Sequence, residues 1–259
     1  MLNKLRTLNF LVNIEYKAVH RKKIFGVVWK FLNPMIFVLI YTFVFSTLNS
    51  GGNRGFIISS GVLIYSGISS SINSSKTWIQ PKILNFSTSS GSLLTYFRAK
   101  LFFNFLPILY LTLFLIAIQR VFFNKDFQFT YFESFQIFLQ LNLLIVIAYL
   151  YCFYICLPFS ILCKKFNDLN DLISHILRIS LYLSPILWTA KTEIEIVNTA
   201  MQLFNPLYFL FEILNYIIFR SYEISFISFI TPVILILTSH FFYLHNNKFM
   251  YLINKYLYR

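Results

Sequence analysis

One ionisable side chain lies inside an otherwise apolar stretch and could bind an anion. Arg178 stands within the apolar run 172–188, about two turns from its start. A charge inside a membrane-spanning helix is costly and usually marks a binding or transport path. Arg178 is therefore expected to line a water-filled path or to pair with an anion of a lipid or substrate. The alternative is a side chain that reaches toward the inner membrane surface.

Aromatic side chains are the second group that could contact a substrate. The sequence contains 32 Phe and 17 Tyr, and Tyr41, Phe45 and Tyr182 lie within apolar runs. Aromatic faces suit sugars, which present apolar C–H faces bordered by hydroxyls. A phenol hydroxyl in an apolar setting also requires a partner. We expect these three residues to line a channel, whereas hydrogen bonding between helices is the simpler alternative for any one tyrosine.

The patterns that mark catalytic and metal sites are absent from the sequence. It contains no GxxxxGK[ST] phosphate-binding loop, no HExxH and no GxSxG motif. Cys152, Cys156 and Cys163 lack CxxC spacing and are interpreted as small buried apolar residues. Asp168 and Asp171 suit the start of a helix. We therefore predict no metal site, no cofactor in this chain and no enzymatic activity of its own.

The composition indicates a membrane protein. Of 259 residues, 58% are hydrophobic and 12% are charged, whereas a soluble chain has about one-quarter charged residues. The formal net charge of +13 would suggest nucleic acid in a soluble protein. Here the cations lie between apolar runs, so we predict contact with membrane lipids and no nucleic-acid partner.

The apolar runs predict an all-α integral membrane protein with six transmembrane helices. Most runs have the length that crosses a hydrocarbon core. The predicted spans are 31–48, 56–72, 101–123, 135–162, 172–188 and 224–243. Residues 4–25 are amphipathic and basic, which predicts a helix that lies along the membrane interface. A polar loop, 73–97, separates the second and third spans.

The distribution of Lys and Arg predicts the orientation. With six spans and both termini in the cytoplasm, the cytoplasmic side holds 16 of the 22 Lys and Arg residues and the outer side holds five. This agrees with the positive-inside rule. A seventh crossing through 201–219 would place the C-terminal cations outside and a Glu and an Asn-Pro at mid-depth. We therefore interpret 189–223 as an outer re-entrant helical pair before the last span.

Two motifs resemble those of polysaccharide-export ABC transporter permeases, the family that exports O-antigen, capsule or teichoic acid. Its first span begins with Leu-Gly-x-x-Trp-x-x-x-x-Pro after a basic amphipathic helix, and an Asn-Pro-Leu precedes its outer re-entrant pair. The matching residues here are Gly26, Trp29, Asn33 and Pro34, and then Asn205, Pro206 and Leu207 with Glu212. Asn215 stands where that pair typically carries Arg.

The resemblance implies a homodimer in the bacterial cytoplasmic (inner) membrane that moves a lipid-linked glycan. Each subunit would recruit a separate ATPase subunit, giving two copies of that partner, which binds ATP and Mg. Loop 73–97 would be the coupling segment, with contacts from Lys76, Pro81 and Lys82. The lipid-carrier entrance would be formed by Arg21, Lys22 and Lys23, together with Arg178.

Three other functions are compatible with parts of the sequence. An ABC permease for another cargo, such as a drug or a small lipid, would have similar spans and motifs. An integral-membrane enzyme would need His, Asp or Glu clustered at one membrane face, which the sequence lacks. A passive channel subunit would need no ATPase partner.

Overall fold

A computed structural model describes residues 10, 25–48, 53–78, 93–122, 131–166, 168–186, 195–219 and 224–244. Within these ranges the chain is helical and contains no β-strand, which confirms the predicted all-α class. The α-helices are α1 (Trp29–Leu48), α2 (Asn53–Ser75), α3 (Leu93–Phe122), α4 (Tyr131–Lys165), α5 (Leu169–Tyr182), α6 (Glu195–Phe204), α7 (Tyr208–Ile218) and α8 (Ile230–Leu244). Short 3-10 turns, Gly26–Val28 and Phe226–Phe229, precede α1 and α8.

Three of the described helices are long and apolar enough to cross a membrane. These segments are Gly55–Ser75, Tyr96–Ile118 and Phe132–Lys164, with 21, 23 and 33 residues. At about 1.5 Å per residue, even the shortest matches a hydrocarbon core of about 30 Å. Three shorter apolar helical segments accompany them: Trp29–Val44, Tyr208–Ile218 and Phe226–Phe241. These lengths and compositions fit a transmembrane protein.

Helix α2 lies at the centre of the bundle and contacts α1, α3, α4, α5 and α7. Its small residues make this possible, because they let neighbouring helices approach closely. Gly61 lies against Ile186, and Gly67 lies against Phe105 and Ile108. Its serine hydroxyls do not disturb the packing, since many donate to carbonyls one turn earlier in the same helix.

Polar contacts show that neighbouring helices run antiparallel. Between α2 and α3, Asn104 Nδ2 donates to Ser74 Oγ at 3.0 Å. Between α3 and α4, Asn142 Nδ2 donates to Thr112 Oγ1 at 3.3 Å. Arg98, near the start of α3, stacks over the ring of Phe153, in the second half of α4, at 5.0 Å.

Helix α5 also runs antiparallel to α2, and three contacts fix its register. The Lys76 ammonium, just after α2, reaches the first turns of α5. Tyr65, in the middle of α2, donates its hydroxyl to the Leu177 carbonyl at 2.8 Å. Ile186, beyond the end of α5, packs against Gly61. We refer to the end of the bundle where α2 finishes and α5 begins as the Lys76 end.

Helices α6 and α7 are joined by the turn Asn205–Leu207, which packs against the middle of α4. Tyr151, near the centre of α4, donates its hydroxyl to the Pro206 carbonyl at 2.8 Å. Its ring also meets Phe209 edge to face, with centroids 5.1 Å apart. The turn therefore lies deep within the bundle, level with the middle of its longest helix.

Several helix bounds differ from those expected from the apolar runs. α3 begins at Leu93, eight residues before the run 101–123, because Tyr96 and Phe97 are buried in the bundle despite the neighbouring charges. α5 ends at Tyr182 rather than at 188, and Pro185 follows within three residues. Proline disfavours helical geometry in the residue before it, which accounts for the early end. The predicted interfacial helix, 4–25, lies almost entirely outside the described residues.

Candidate functional site

A groove of about 500 Å³ opens between α1, α2, α3 and α5. This volume lies in the range of small-molecule and cofactor sites. We call it the central groove. Its polar and aromatic lining residues are Lys30, Asn33, Phe37 and Tyr41 from α1, Tyr65, Ser66, Ser69 and Ser70 from α2, Asn104 from α3, and Arg178 and Tyr182 from α5.

The central groove brings together five residues that the sequence singled out for separate reasons. Asn33 and Pro34 belong to the first motif, Tyr41 and Tyr182 are predicted channel aromatics, and Arg178 is the ionisable residue of an apolar run. They come from helices more than 120 residues apart in the chain. Phe45, the third predicted channel aromatic, lies in α1, and its side chain is outside the described residues.

Arg178 projects from the exposed side of α5. The opposite side of α5 packs into the bundle through Ile173, Leu177 and Ser180. Arg178 and Tyr182 are close enough to the Tyr65 phenol to interact with it electrostatically. Among the described residues that line the groove there is no Asp or Glu. The groove thus contains the positive charge of Arg178 with no carboxylate in its described lining.

Lys30 adds a second basic side chain to the groove and links three helices. Its ammonium donates to Asn104 Oδ1 at 2.9 Å and to the Phe103 carbonyl at 3.4 Å. Asn104 in turn donates through Nδ2 to Ser74 on α2 at 3.0 Å. This chain of bonds joins the first turn of α1 to α3 and α2, so it fixes one wall of the groove.

Gly26 and Trp29 position the start of α1, which lines the groove. Gly26 has φ of 50°, a left-handed conformation that favours glycine. Trp29 meets Phe25 edge to face across this turn, with ring centroids 5.6 Å apart. The two residues therefore shape the chain where it turns into the helix that carries Lys30 and Asn33.

The second motif lies away from the groove and holds the α6–α7 turn in place. Asn205 Nδ2 donates to the Ser180 carbonyl and to Ser184 Oγ, both at 2.9 Å. Its Oδ1 accepts from the Leu207 amide at 3.1 Å. Both polar ends of the Asn205 side chain are thereby satisfied at a buried position.

Glu212 and Asn215 connect α7 to its neighbours. Glu212 is buried and accepts a hydrogen bond through Oε2 from Ser228 Oγ at 2.5 Å. Asn215 donates through Nδ2 to the Pro185 carbonyl at 3.1 Å. Asn215 thus binds the non-helical segment that follows α5, which ties α7 to the helix that carries Arg178.

Lys76 joins α2 to α5 at the Lys76 end of the bundle. Its ammonium donates to the Asn170 carbonyl at 2.5 Å and to Ser174 Oγ at 2.6 Å. The segment that follows α2 is therefore attached directly to the first turns of α5. The other two predicted coupling residues, Pro81 and Lys82, lie outside the described residues, as do the predicted entrance cations Arg21, Lys22 and Lys23.

Several groove residues were not singled out by the sequence. Lys30 stands at the edge of an apolar run, where a cation usually serves as an interfacial anchor. Ser66, Ser69 and Ser70 recur at helical spacing on α2, which was the one signal that could have found them. Asn104 is an isolated amide in an apolar run and gives no periodic signal.

The three cysteines are buried and unpaired. Over the described ranges, His, Cys, Asp and Glu side chains form no group of three that could hold a metal ion. A comparison with protein-family models finds none that matches the chain, and a comparison with curated proteins finds no match.

Proposed function

We propose that this chain is the transmembrane permease subunit of an ABC transporter. It exports a lipid-linked polysaccharide across the bacterial cytoplasmic membrane, and a separate ATPase subunit drives it. The observation that carries the proposal is the central groove, because it joins two residues of the first motif to an arginine and two tyrosines.

The helix directions support six crossings with both termini in the cytoplasm. α1, α3 and α5 would run outward, while α2, α4 and α8 run inward, in agreement with the antiparallel contacts of α2 with α3 and α5 and of α3 with α4. The Lys76 end is then cytoplasmic. α5 has only 14 residues, about 21 Å, so the non-helical segment 183–186 completes its crossing.

The α6–α7 hairpin is proposed as the outer re-entrant pair. Its turn reaches the level of Tyr151, near the middle of α4. Irregular backbone at membrane depth is tolerated where protein covers it and its polar groups are satisfied. The bonds of Asn205 to Ser180, Ser184 and Leu207 meet that requirement.

The chemistry of the groove suits a glycan attached to an anionic lipid. Tyr41, Tyr65 and Tyr182 offer aromatic faces for the C–H surfaces of sugars and hydroxyls for their rims. Arg178 contributes positive charge along the same path, and Lys30 adds a second basic side chain. A neutral drug would make little use of the arginine charge, so the groove favours a glycan on an anionic lipid over that alternative cargo.

Energy for transport would enter through the Lys76 end. Two ATPase subunits, which bind ATP and Mg, would dock on the cytoplasmic side of a homodimer of this chain. They would contact the segment between α2 and α3. Lys76 joins the start of that segment to α5. A movement of the segment would therefore act on the helix that carries Arg178 and Tyr182.

Deletion of the gene tests the cargo. Loss of the permease should remove one class of glycan from the cell surface and leave the same glycan, still lipid-linked, inside the cytoplasmic membrane. Expression of the wild-type chain should restore export. The same expression in a strain whose partner ATPase is inactive should not restore it. Normal surface glycan in the deletion strain, with altered drug or lipid efflux, would instead favour another cargo, and export independent of ATP would favour a passive channel.

A further inference from the structure

We propose that the central groove contains a phosphate-binding site at mid-depth in the membrane, formed by the Arg178 guanidinium and the serine hydroxyls of α2 that line the same groove. This inference rests on the proposed transport function, since it treats the groove as the path of the cargo. It differs from an entrance at Arg21–Lys23, because the site lies within the bundle.

The depth of Arg178 follows from the register of α5 against α2. Its neighbour Leu177 accepts a hydrogen bond from Tyr65, which is the central residue of the membrane-crossing segment Gly55–Ser75. The backbone of Arg178 is therefore level with the middle of a full-length span. A charge at this depth is expensive unless it meets water or a counter-ion.

The four carboxylates whose side chains the structure describes lie outside the groove. Asp168 and Asp171 lie at the start of α5, and Asp171 is about 10 Å from Arg178 along the helix axis. Glu212 is buried elsewhere, on α7, and binds Ser228. Glu133 lies in the first turn of α4, which does not line the groove. An anion that enters the groove would complete the pairing.

The donors around Arg178 match a phosphate. A guanidinium binds two phosphate oxygens at once through its planar fork of N–H donors. Ser66 and Ser70 donate to carbonyls of their own helix, bonds that a hydroxyl can exchange for a ligand by rotating. Phosphate has more acceptor oxygens than a carboxylate, so it can engage the arginine and these hydroxyls together. Lys30, on α1, adds a second basic side chain to the same groove.

The source of the phosphate is either the diphosphate of a polyprenyl-linked cargo or the headgroup of a membrane phospholipid. The test uses the full chain, purified in dodecyl maltoside, and radiolabelled farnesyl diphosphate as the probe. Unlabelled pyrophosphate, phosphatidylglycerol and palmitate are the competitors. Farnesol, which lacks the diphosphate, measures how much of the binding comes from the isoprenoid tail alone.

We expect farnesyl diphosphate to bind, and Arg178→Gln to weaken binding about tenfold or more, as the loss of a charged hydrogen-bonding partner implies. Arg178→Lys, which keeps the charge, should weaken it less. Arg98→Gln is the matched control, because Arg98 is an exposed arginine outside the groove. Its affinity should stay within about twofold of wild type.

The competitors identify the source. Displacement by pyrophosphate but not by phosphatidylglycerol supports a cargo diphosphate, and displacement by both supports a phosphate site that lipid headgroups also occupy. Equal affinity of wild type and Arg178→Gln for farnesyl diphosphate would overturn the site. Competition by palmitate that is as strong as competition by pyrophosphate would overturn the preference for phosphate. If Arg178→Gln binds the probe like wild type while deletion of the gene still blocks glycan export, only the phosphate site is refuted. If deletion leaves glycan export intact while the purified chain binds the probe, the proposed cargo is refuted instead.

Discussion

Replacement of Gly61 by alanine should force α2 away from the segment that follows α5. A Cβ at Gly61 would lie 2.7 Å from Ile186 Cγ2 and 3.0 Å from Cγ1. Carbon atoms in good contact are about 3.5–4.0 Å apart, so the new methyl group would overlap Ile186 by nearly 1 Å. Ile186 is almost fully buried and has little space to withdraw into.

The expected cost can be estimated from this overlap. Overpacking of a buried site costs about 1–3 kcal/mol, and the severe overlap at Gly61 belongs at the upper end. Gly→Ala within a helix offsets about 1 kcal/mol of that cost. We therefore expect Gly61→Ala to lower the free energy of unfolding by about 2 kcal/mol.

Gly67→Ala is the matched control in the same helix. Its Cβ would lie 3.2 Å from Ile108 and 3.3 Å from Phe105, so smaller shifts would relieve the contact. The same gain in helix propensity applies to both variants, and the net change for Gly67→Ala should be close to zero. Equilibrium unfolding in mixed micelles of dodecyl maltoside and SDS, followed by far-UV circular dichroism, would measure both.

Ile186→Ala should rescue Gly61→Ala. This substitution removes the three side-chain atoms nearest to the new methyl group, although alone it should cost about 2–5 kcal/mol. The double variant should be more stable than the two single effects predict by about 1–3 kcal/mol. If the effects add within about 0.5 kcal/mol, or if Gly61→Ala is as stable as Gly67→Ala, Ile186 does not pack against Gly61.

Three further predictions concern the turn, the Lys76 end and the entrance. Asn205→Ala should lower the free energy of unfolding by about 1–3 kcal/mol, because the Leu207 amide loses its hydrogen-bond partner. The control, Thr238→Ala at an exposed position of α8, should change the free energy of unfolding little. Equal effects of the two substitutions would contradict the role of the turn. Lys76→Met should reduce ATP-driven export more than exposed Lys164→Met, at matched membrane levels, because it cuts the tie to α5; equal export would refute a coupling role. Replacement of Arg21, Lys22 and Lys23 by Gln should weaken export without loss of assembly, and unchanged export would exclude the entrance role.

Apolar runs predicted where helices form better than where they end. The run 56–72 lies wholly within α2, whose residues are mostly small or apolar and mostly buried. The end of α5 at Tyr182 was missed because Ser184 and Pro185 are only a short interruption in an apolar run, and hydropathy averages across it.

The sequence predicted several groove residues one at a time, but it did not predict that they line the same groove. Arg178, Tyr41 and Tyr182 stand out because polar or aromatic chemistry in an apolar run needs an explanation. Whether they share a cavity depends on how each helix is rotated, and that is fixed by distant packing such as Gly61 against Ile186. Lys30 was interpreted only through charge counting, since its bond to Asn104 joins residues 74 positions apart.

The central claim is that this chain works with a separate ATPase. The most direct measurement is affinity purification of the tagged chain from its native membrane in mild detergent, followed by native mass spectrometry of the complex. We predict a stoichiometric complex of two copies of this chain and two copies of a P-loop ATPase. A lone chain, or an oligomer of this chain without an ATPase, would contradict the proposed function.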